Sequence, residues 1–192
     1  EKIDQLTVCV TGAAGQIAYS FIPRLCSGSV FPGVLLNIRL LDVTPALKVL
    51  EGVILELQIA LPSDQIGTPV VRQIQYGDNP AEMFKDADVI VFLGGSPRKP
   101  GMERKDLLQV NKQIFVEQGK ALSSAKKDVK CLVVANPANT NAYVLKHFAP
   151  TVDPKNITCL SRLDHKLNFK TYPNLLLITN QLHLLSMKKE VE

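Results

Sequence analysis

The chain has 192 residues, of which 46% are hydrophobic and 21% are charged, as in an ordinary globular domain with one sizeable core. Its formal net charge of +4 comes from scattered basic residues, which argues against a nucleic-acid-binding surface. No apolar run approaches the ~20 residues of a membrane-spanning helix. The four cysteines form no Cys-x-x-Cys pair, so we expect buried thiols in a reducing compartment, without disulfides or a metal site.

Strand-like and helix-like segments alternate along the chain. Several of the strand-like segments are continuous apolar runs, typical of parallel strands that are covered on both faces. The predicted strands are 6–11, 35–42, 70–76, 89–93, 130–135 and 157–160, and the predicted helices are 16–26, 44–59, 103–124 and 139–148. This alternation predicts an α/β fold with a doubly wound, mostly parallel six-stranded sheet, the Rossmann arrangement, over residues 1–160.

The second predicted helix shows the clearest local signals. Thr44 can cap its N-terminus, and Pro45 suits its first turn. Its apolar residues recur at helical spacing and predict one buried stripe. The stripe consists of Val49, Leu50, Val53, Ile54 and Leu57.

A glycine turn joins the first predicted strand to the first predicted helix. Glycine allows a tight turn and a close approach of the backbone by a pyrophosphate, and the helix dipole favours an anion. The alternative is a tight strand–helix turn without a ligand. The turn predicts a phosphate site formed by Gly12, Ala13, Ala14, Gly15, Gln16, Ile17 and Ala18.

Asp42 ends the second predicted strand. An acid at this position of a dinucleotide-binding fold accepts hydrogen bonds from the adenosine ribose, and it repels a 2′-phosphate. A capping role for the following helix is the alternative. Together with the glycine turn, Asp42 indicates a ribose contact and a preference for NAD over NADP.

Two further loops follow predicted strands at the carboxyl edge of the sheet, where ligands bind in such folds. The loop 94–104 carries hinge glycines and two arginines, Arg98 and Arg104, which suit a dianionic carboxylate substrate. A solvated basic loop is the alternative. The loop 136–141 offers amides, first Asn136, to a nicotinamide or a substrate oxygen, or else begins a helix that Asn139 or Thr140 caps.

These segments resemble the lactate/malate dehydrogenase family, in particular its cytosolic malate dehydrogenase branch. The resemblance is nearly continuous from Leu6 to His165. Its most specific parts are the loop 101–108 and the loop 136–141. The matching segments read TGAAGQIAYS at 11–20, LLDVTP at 40–45, GMERKDLL at 101–108, VVANPANTN at 133–141 and LSRLDH at 160–165.

The resemblance implies reversible hydride transfer between NAD and malate or oxaloacetate in the cytoplasm, as part of malate metabolism. It implies substrate contacts by Arg98, on a closing lid, and by Arg104 and Asn136. It places Asn111, Gln118 and Val134 near the cofactor, beside the glycine turn and Asp42. It further implies that Asp164 orients a catalytic histidine and that full-length relatives are homodimers.

The chain departs from the family pattern after His165. The family's carboxylate-clamping arginine is replaced by Leu167, and the Gly-Asn-His-Ser context of its catalytic histidine is missing. His165 belongs to the matched motif but is not the proton donor, and His183 lies between leucines as a surface or packing residue. We therefore expect 161–192 to begin a substrate domain and to diverge into an unrelated tail, and the chain to be truncated and catalytically incomplete.

The sequence allows two other functions. The first is a non-catalytic fragment that binds NAD or another subunit. The second is a short-chain dehydrogenase, which needs a Tyr-x-x-x-Lys pair, whereas Tyr143 and Lys146 are only three residues apart.

Overall fold

The computed structural model describes residues 5–60, 70–97 and 100–160, and it consists of strands and helices in alternation. The strands are β1 (Gln5–Thr11), β2 (Leu35–Leu41), β3 (Val71–Gly77), β4 (Val89–Phe92), β5 (Lys130–Val133) and β6 (Ile157–Cys159). The helices are α1 (Gln16–Cys26), α2 (Leu47–Ala60), α3 (Pro80–Phe84), α4 (Arg104–Ala121) and α5 (Ala138–Phe148). Short 3₁₀ turns cover Thr44–Ala46, Leu122–Ser124 and Pro154–Asn156.

The six strands form one sheet in the order β3-β2-β1-β4-β5-β6, and every neighbouring pair is parallel. The chain runs outward from β1 to β3, and then returns to β4 on the other side of β1. The order therefore reverses between β1 and β4, and this switch point is where open α/β sheets bind ligands. The predicted doubly wound sheet is confirmed.

The sheet is covered by helices on both faces, because its central strands are apolar on both sides. One buried cluster joins alternate residues of β1, β2 and β4 to α1 and α2, and it includes Val8, Ile38 and Phe21. The opposite cluster joins the other residues of these strands to α3, α4 and α5, and it includes Ile90 and Phe115. This two-sided core holds the carboxyl ends of β1 and β4 side by side.

The predicted helix 44–59 begins differently from the expectation. Residues Thr44–Ala46 form a 3₁₀ turn that precedes α2, and Val43 occupies the cap position without a side-chain hydrogen bond. The Thr44 hydroxyl instead donates to Asp78 Oδ2 at 2.6 Å, so the prediction of Thr44 as the cap was wrong. The predicted stripe is buried at Leu50, Val53 and Leu57, whereas Val49 is 53% exposed.

Helix α3 was missed by the sequence analysis, although its signals are local. The Asn79 side chain accepts a hydrogen bond from Ala81 N, and Pro80 occupies the first turn. The other end of this short helix is fixed from β2, because the Arg39 guanidinium donates to the carbonyl oxygens of Glu82, Met83 and Lys85. A helix of five residues is too short to show an apolar periodicity in the sequence.

All four cysteines lie within the described residues and are thiols. Burial raises the pKa of Cys9 and Cys131, and it raises the pKa of Cys26 to about 12. Cys159 is only partly buried, so the expectation of a buried thiol fails there, because β6 is the edge strand. Within the described part of the chain, no helix has the length and apolar character that crossing a bilayer requires.

Candidate functional site

A groove of about 690 Å³ runs along the carboxyl edge of the sheet at the switch point. The turn after β1, the end of β2, the loop after β4 and one face of α4 form its walls. The lining residues are Gly12, Ala14, Gly15, Leu41, Asp42, Val43, Ala46, Asp78, Pro80, Leu93, Gly94, Gly95, Ser96, Val110, Ile114, Glu117 and Gln118. The groove therefore brings the glycine turn, Asp42 and Gln118 together from three separate segments of the chain.

The floor of the groove depends on a close approach of two glycines. Gly12 has a φ of +64°, and a Cβ built on it would lie 2.3 Å from Gly94 Cα. A Cβ on Gly94 would lie 2.8 Å from Gly12 N. The Gly94 N–H donates to Thr11 Oγ1 at 3.2 Å, which closes the contact. No side chain fits here, so the backbones of the two loops line the groove directly.

Helix α1 begins at the glycine turn and directs its N-terminus toward the groove. Gly15 is the cap residue, in an extended conformation and without a side-chain hydrogen bond. The first N–H groups of a helix have no partner within it, and the helix dipole makes this end attractive to an anion. The side chains of Ala13 and Ala18 are fully buried in the core, whereas Gln16 and Ile17 are exposed. The turn thus offers backbone groups, not side chains, to a phosphate.

Asp42 lies directly after β2 and contacts the glycine turn. Its Oδ2 accepts from Ala14 N at 2.9 Å, and its Oδ1 accepts from Val43 N at 2.8 Å. Its own N–H donates to Gly77 O at the end of β3. Each carboxylate oxygen keeps accepting capacity for a further donor, such as a ribose hydroxyl. The carboxylate and the turn are held in one unit before any ligand arrives.

Two polar side chains of α4 behave differently. Asn111 is fully buried, and it holds the loop after β4: its Oδ1 accepts from Ser96 N at 2.8 Å, and its Nδ2 donates to Leu107 O at 3.0 Å. Gln118 lines the groove and is 8% exposed, but its Oε1 has no hydrogen-bond partner among the described residues. A buried acceptor without a partner is costly, and a ligand donor would satisfy it.

The loop after β4 was predicted to contain hinge glycines. The structure gives two of them a different role: Gly94 packs against Gly12, and a Cβ on Gly95 would lie 2.9 Å from Asn111 Oδ1. These glycines are required by close packing. Arg104 is the first residue of α4. Arg98 and the side chain of Arg104 lie outside the part of the chain that the structure describes. Their predicted contacts with a substrate stay predictions.

The loop after β5 reaches the same edge of the sheet but does not line the groove. Asn136 is exposed, and its peptide bond to Pro137 is cis. Val134 is buried in the core. Helix α5 begins at Ala138 with Pro137 as its cap residue, so neither Asn139 nor Thr140 caps it. Asn141, buried, donates from Nδ2 to Ala135 O and holds this turn.

Several groove residues were missed by the sequence analysis. Val110 and Ile114, one turn apart on α4, face the groove, and Val110 is 42% exposed. Apolar residues at this spacing on an otherwise polar helix face were the available signal. Asp78 reaches the groove from the end of β3, and only the register of β2 and β3 reveals its proximity to Asp42.

The remaining sequence candidates do not form a second site in the described structure. Tyr143 and Lys146 are exposed on α5 and do not line the groove. Asp164, His165 and His183 lie outside the described residues, as does the predicted segment 161–192.

A parallel sheet in this order, with a glycine turn, a strand-end aspartate and a groove at the switch point, defines a Rossmann-type dinucleotide-binding domain. The sequence profile of the lactate/malate dehydrogenase NAD binding domain matches residues 6–158. The chain therefore belongs to the lactate/malate dehydrogenase family, and residues 6–158 are its NAD-binding domain.

Individual relatives agree with this assignment. The chain is 47% identical over 167 residues to the cytoplasmic malate dehydrogenase of Gallus gallus, covering 84% of this chain and 47% of that protein. It superposes on malate dehydrogenase from Naegleria fowleri with a TM-score of 0.80 at 41% identity, covering 86% of this chain and 50% of that one. It superposes on Trichomonas vaginalis lactate dehydrogenase in complex with NADH and oxamate with a TM-score of 0.76 at 34% identity, covering 84% and 47%. The chain spans about half the length of the relatives it matches.

The residues of the groove fit the NAD that the family binds. The Gly12–Gly94 contact leaves the backbone accessible to a pyrophosphate. The Gln118 Oε1 atom can accept a hydrogen bond from the ligand. The groove is also long enough to link the end of β2 with α4. A dinucleotide is the ligand whose two ends and central pyrophosphate match these three features.

Proposed function

We propose that this chain holds the NAD of a malate dehydrogenase reaction, the reversible transfer of a hydride between NAD and malate or oxaloacetate. The single observation that carries the proposal is the continuous groove from Asp42 past the glycine turn to Gln118. The nicotinamide ring supplies the hydride chemistry when the cofactor is bound. The substrate assignment is supported by the similarity to malate dehydrogenases.

Each wall of the groove has its own task in this proposal. The N–H groups of the first turn of α1, which have no partner within the helix, and the dipole of α1 stabilise the pyrophosphate. The Asp42 carboxylate accepts from the ribose hydroxyls, and Gln118 Oε1 accepts a hydrogen bond from the cofactor. Val110 and Ile114 exclude water from the apolar side of the groove.

The substrate contacts are proposed from the family resemblance. The guanidinium groups of Arg98 and Arg104 bind the two carboxylates of the substrate, and Asn136 contacts it from the neighbouring loop. Asp164 orients the histidine that exchanges a proton with the substrate oxygen. No histidine of this chain has the family's Gly-Asn-His-Ser context, so we propose that the 192-residue chain alone does not turn over substrate.

A protein partner is the second part of the proposal. Helix α2 presents the exposed apolar side chains of Val49, Leu55 and Ile59, which favour contact with another chain over full solvation. We propose a homodimer. The second candidate function is a non-catalytic fragment that binds NAD or another subunit. We further propose a cytoplasmic location, supported by the names of two relatives, from Gallus gallus and Rattus norvegicus.

The test combines binding and turnover on the purified 192-residue chain. NADH binding is measured by fluorescence, and NADH oxidation is followed with oxaloacetate and, as a control substrate, with pyruvate. We expect saturable NADH binding without turnover. Light scattering across a dilution series measures the oligomeric state, and a monomer at all concentrations contradicts the homodimer.

The other outcomes of this test separate the parts of the proposal. NADH oxidation that occurs with oxaloacetate but not with pyruvate, and that Arg104→Ala abolishes, supports the malate assignment. It contradicts the proposal that the 192-residue chain alone does not turn over substrate. Equal oxidation with both substrates contradicts the malate assignment. Absence of NADH binding in a folded chain overturns the whole proposal.

A further inference from the structure

The lining of the groove is acidic. Asp42, Asp78 and Glu117 all contribute to it, and none of the described lining residues is a lysine or an arginine. Among the described groups that line the groove, the backbone of the glycine turn and the dipole of α1 offer the positive potential. Anionic parts of a ligand are therefore tolerated at the glycine turn and opposed elsewhere in the groove.

Asp78 is placed beside Asp42 by the sheet. The Asp42 N–H donates to Gly77 O at 3.2 Å, so the two aspartates extend from adjacent positions at the ends of β2 and β3. Asp78 is exposed and lines the same end of the groove as Asp42. No lysine or arginine of the described residues forms an ion pair with either carboxylate. Among the described side chains, none therefore neutralises these two negative charges.

The same two carboxylates use the donors that an added phosphate would need. The chain after Asp42 enters the 3₁₀ turn Thr44–Ala46 and then α2, and a helix start of this kind attracts anions. Here Val43 N donates to Asp42 Oδ1 at 2.8 Å, and the Thr44 hydroxyl donates its only proton to Asp78 Oδ2 at 2.6 Å. A phosphate on the ribose 2′-oxygen would meet two carboxylates and donors already in use.

We propose that Asp78 is a second specificity-determining residue, which acts with Asp42 to exclude the 2′-phosphate of NADP. This inference rests on the proposed function of the groove as the NAD site. Asp42 opposes the phosphate by charge and by contact with the ribose, whereas Asp78 acts by charge and by holding the Thr44 hydroxyl. Asp78 therefore affects the choice between the two cofactors more than the affinity for NAD itself.

The experiment measures NADH and NADPH dissociation constants for the 192-residue chain and its variants by fluorescence titration. Asp78→Asn removes the charge, and Asp78→Ser is a second variant in case the first does not fold. Asp86→Asn is the matched control, because it removes one negative charge before β4, at the opposite end of the sheet, and its φ of 54° suits asparagine. Thermal melting of each variant reports folding.

We expect Asp78→Asn and Asp78→Ser to raise NADPH affinity relative to NADH by about three- to tenfold, whereas Asp86→Asn leaves the ratio unchanged. We also expect the wild-type preference for NADH to shrink as KCl rises from about 0.02 to about 0.3 M, because salt screens the carboxylates. If folded Asp78 variants keep the wild-type ratio of the two dissociation constants, or bind both nucleotides equally more weakly, the inference is wrong. The proposed NAD site is not affected by that result. Absence of NADH binding by the folded wild-type chain overturns both.

Discussion

The Asp42 carboxylate is hydrogen-bonded to the backbone of the glycine turn: its Oδ2 accepts from Ala14 N at 2.9 Å. One side chain thus connects the proposed ribose end of the groove to the glycine turn. The turn otherwise has a hydrogen bond from Ala13 N to Leu41 O and one from Gly15 N to Gly12 O. Asp42 therefore connects the conformation of the turn to the end of β2.

The first prediction follows from this double contact. Asp42→Ala removes both the proposed ribose acceptor and the support of the turn, and we expect NADH affinity to fall at least about tenfold. Asp42→Asn keeps one acceptor oxygen for Ala14 N, so we expect a smaller loss, of about threefold. Fluorescence titration measures both values. Equal losses in the two variants would show that the hydrogen bond to Ala14 contributes nothing.

The second prediction separates backbone strain from close approach. Gly12 and Gly33 both have a positive φ, of +64° and +74°, but only a Cβ on Gly12 would meet other atoms within 4 Å. We expect Gly12→Ala to lower the free energy of unfolding by about 3 kcal/mol, and Gly33→Ala by about 1 kcal/mol. Urea unfolding of the two variants checks the difference. Similar losses would mean that the Gly12–Gly94 contact relaxes without cost.

The third prediction concerns the unpaired Gln118 Oε1. Gln118→Met keeps the shape of the side chain and removes the buried acceptor, so we expect the free energy of unfolding of the nucleotide-free chain to rise by about 1 kcal/mol. We expect NADH affinity to fall about fivefold in the same variant, because the proposed hydrogen bond between the cofactor and Gln118 is lost.

Gln109→Met is the control for this prediction, because Gln109 is exposed on the same helix and does not line the groove. We expect it to change neither quantity appreciably. A Gln118→Met chain that binds NADH as tightly as the wild type would exclude Gln118 from the cofactor site.

The fourth prediction concerns the cysteines and the pH. Burial raises the pKa of all four thiols, so the reactive thiolate is scarce at neutral pH. Cys159 alone is partly exposed, and we expect iodoacetamide to alkylate it first. Because the pKa of Cys159 lies above its usual value of 9.0, its rate should rise close to tenfold per pH unit between pH about 7 and about 9.

Mass spectrometry of peptides identifies the alkylated positions. We expect Cys9, Cys26 and Cys131 to react only in denaturant, and Cys159→Ser to abolish the labelling of the native chain. Rapid alkylation of Cys9 or Cys131 under native conditions would contradict their place in the core.

Local sequence signals located the strands to within one or two residues. The strand 70–76 was found at Val71–Gly77, and 35–42 at Leu35–Leu41, because continuous apolar runs bounded by turn residues leave little choice of element. The same signals failed at the starts of two helices. Thr44 and Asn139 have suitable side chains for a cap. The Thr44 hydroxyl instead donates to Asp78, and Asn139 lies inside α5, which begins at Ala138.

The site was predictable where backbone chemistry leaves few solutions. Glycine turns after strands are visible in sequence, and so is an aspartate at a strand end. Asp78 was not, because its place in the groove depends on the register of β2 and β3, which no local spacing encodes. Val110 and Ile114 carry a helical spacing, but only the packing of α4 shows that they face the groove. Asn111 was expected near the cofactor, and its hydrogen bonds show that it holds the loop at Ser96.

The sequence alone determined the alternation of elements, the parallel sheet and the family, because each depends on apolar periodicity and on motifs that are continuous in the chain. The tertiary structure alone decided which residues meet. It set Gly94 against Gly12, Asp78 beside Asp42, and left Gln118 Oε1 without a partner in the groove. Contacts between distant segments depend on the order and register of the strands, and these are fixed only when both faces of the sheet are packed together.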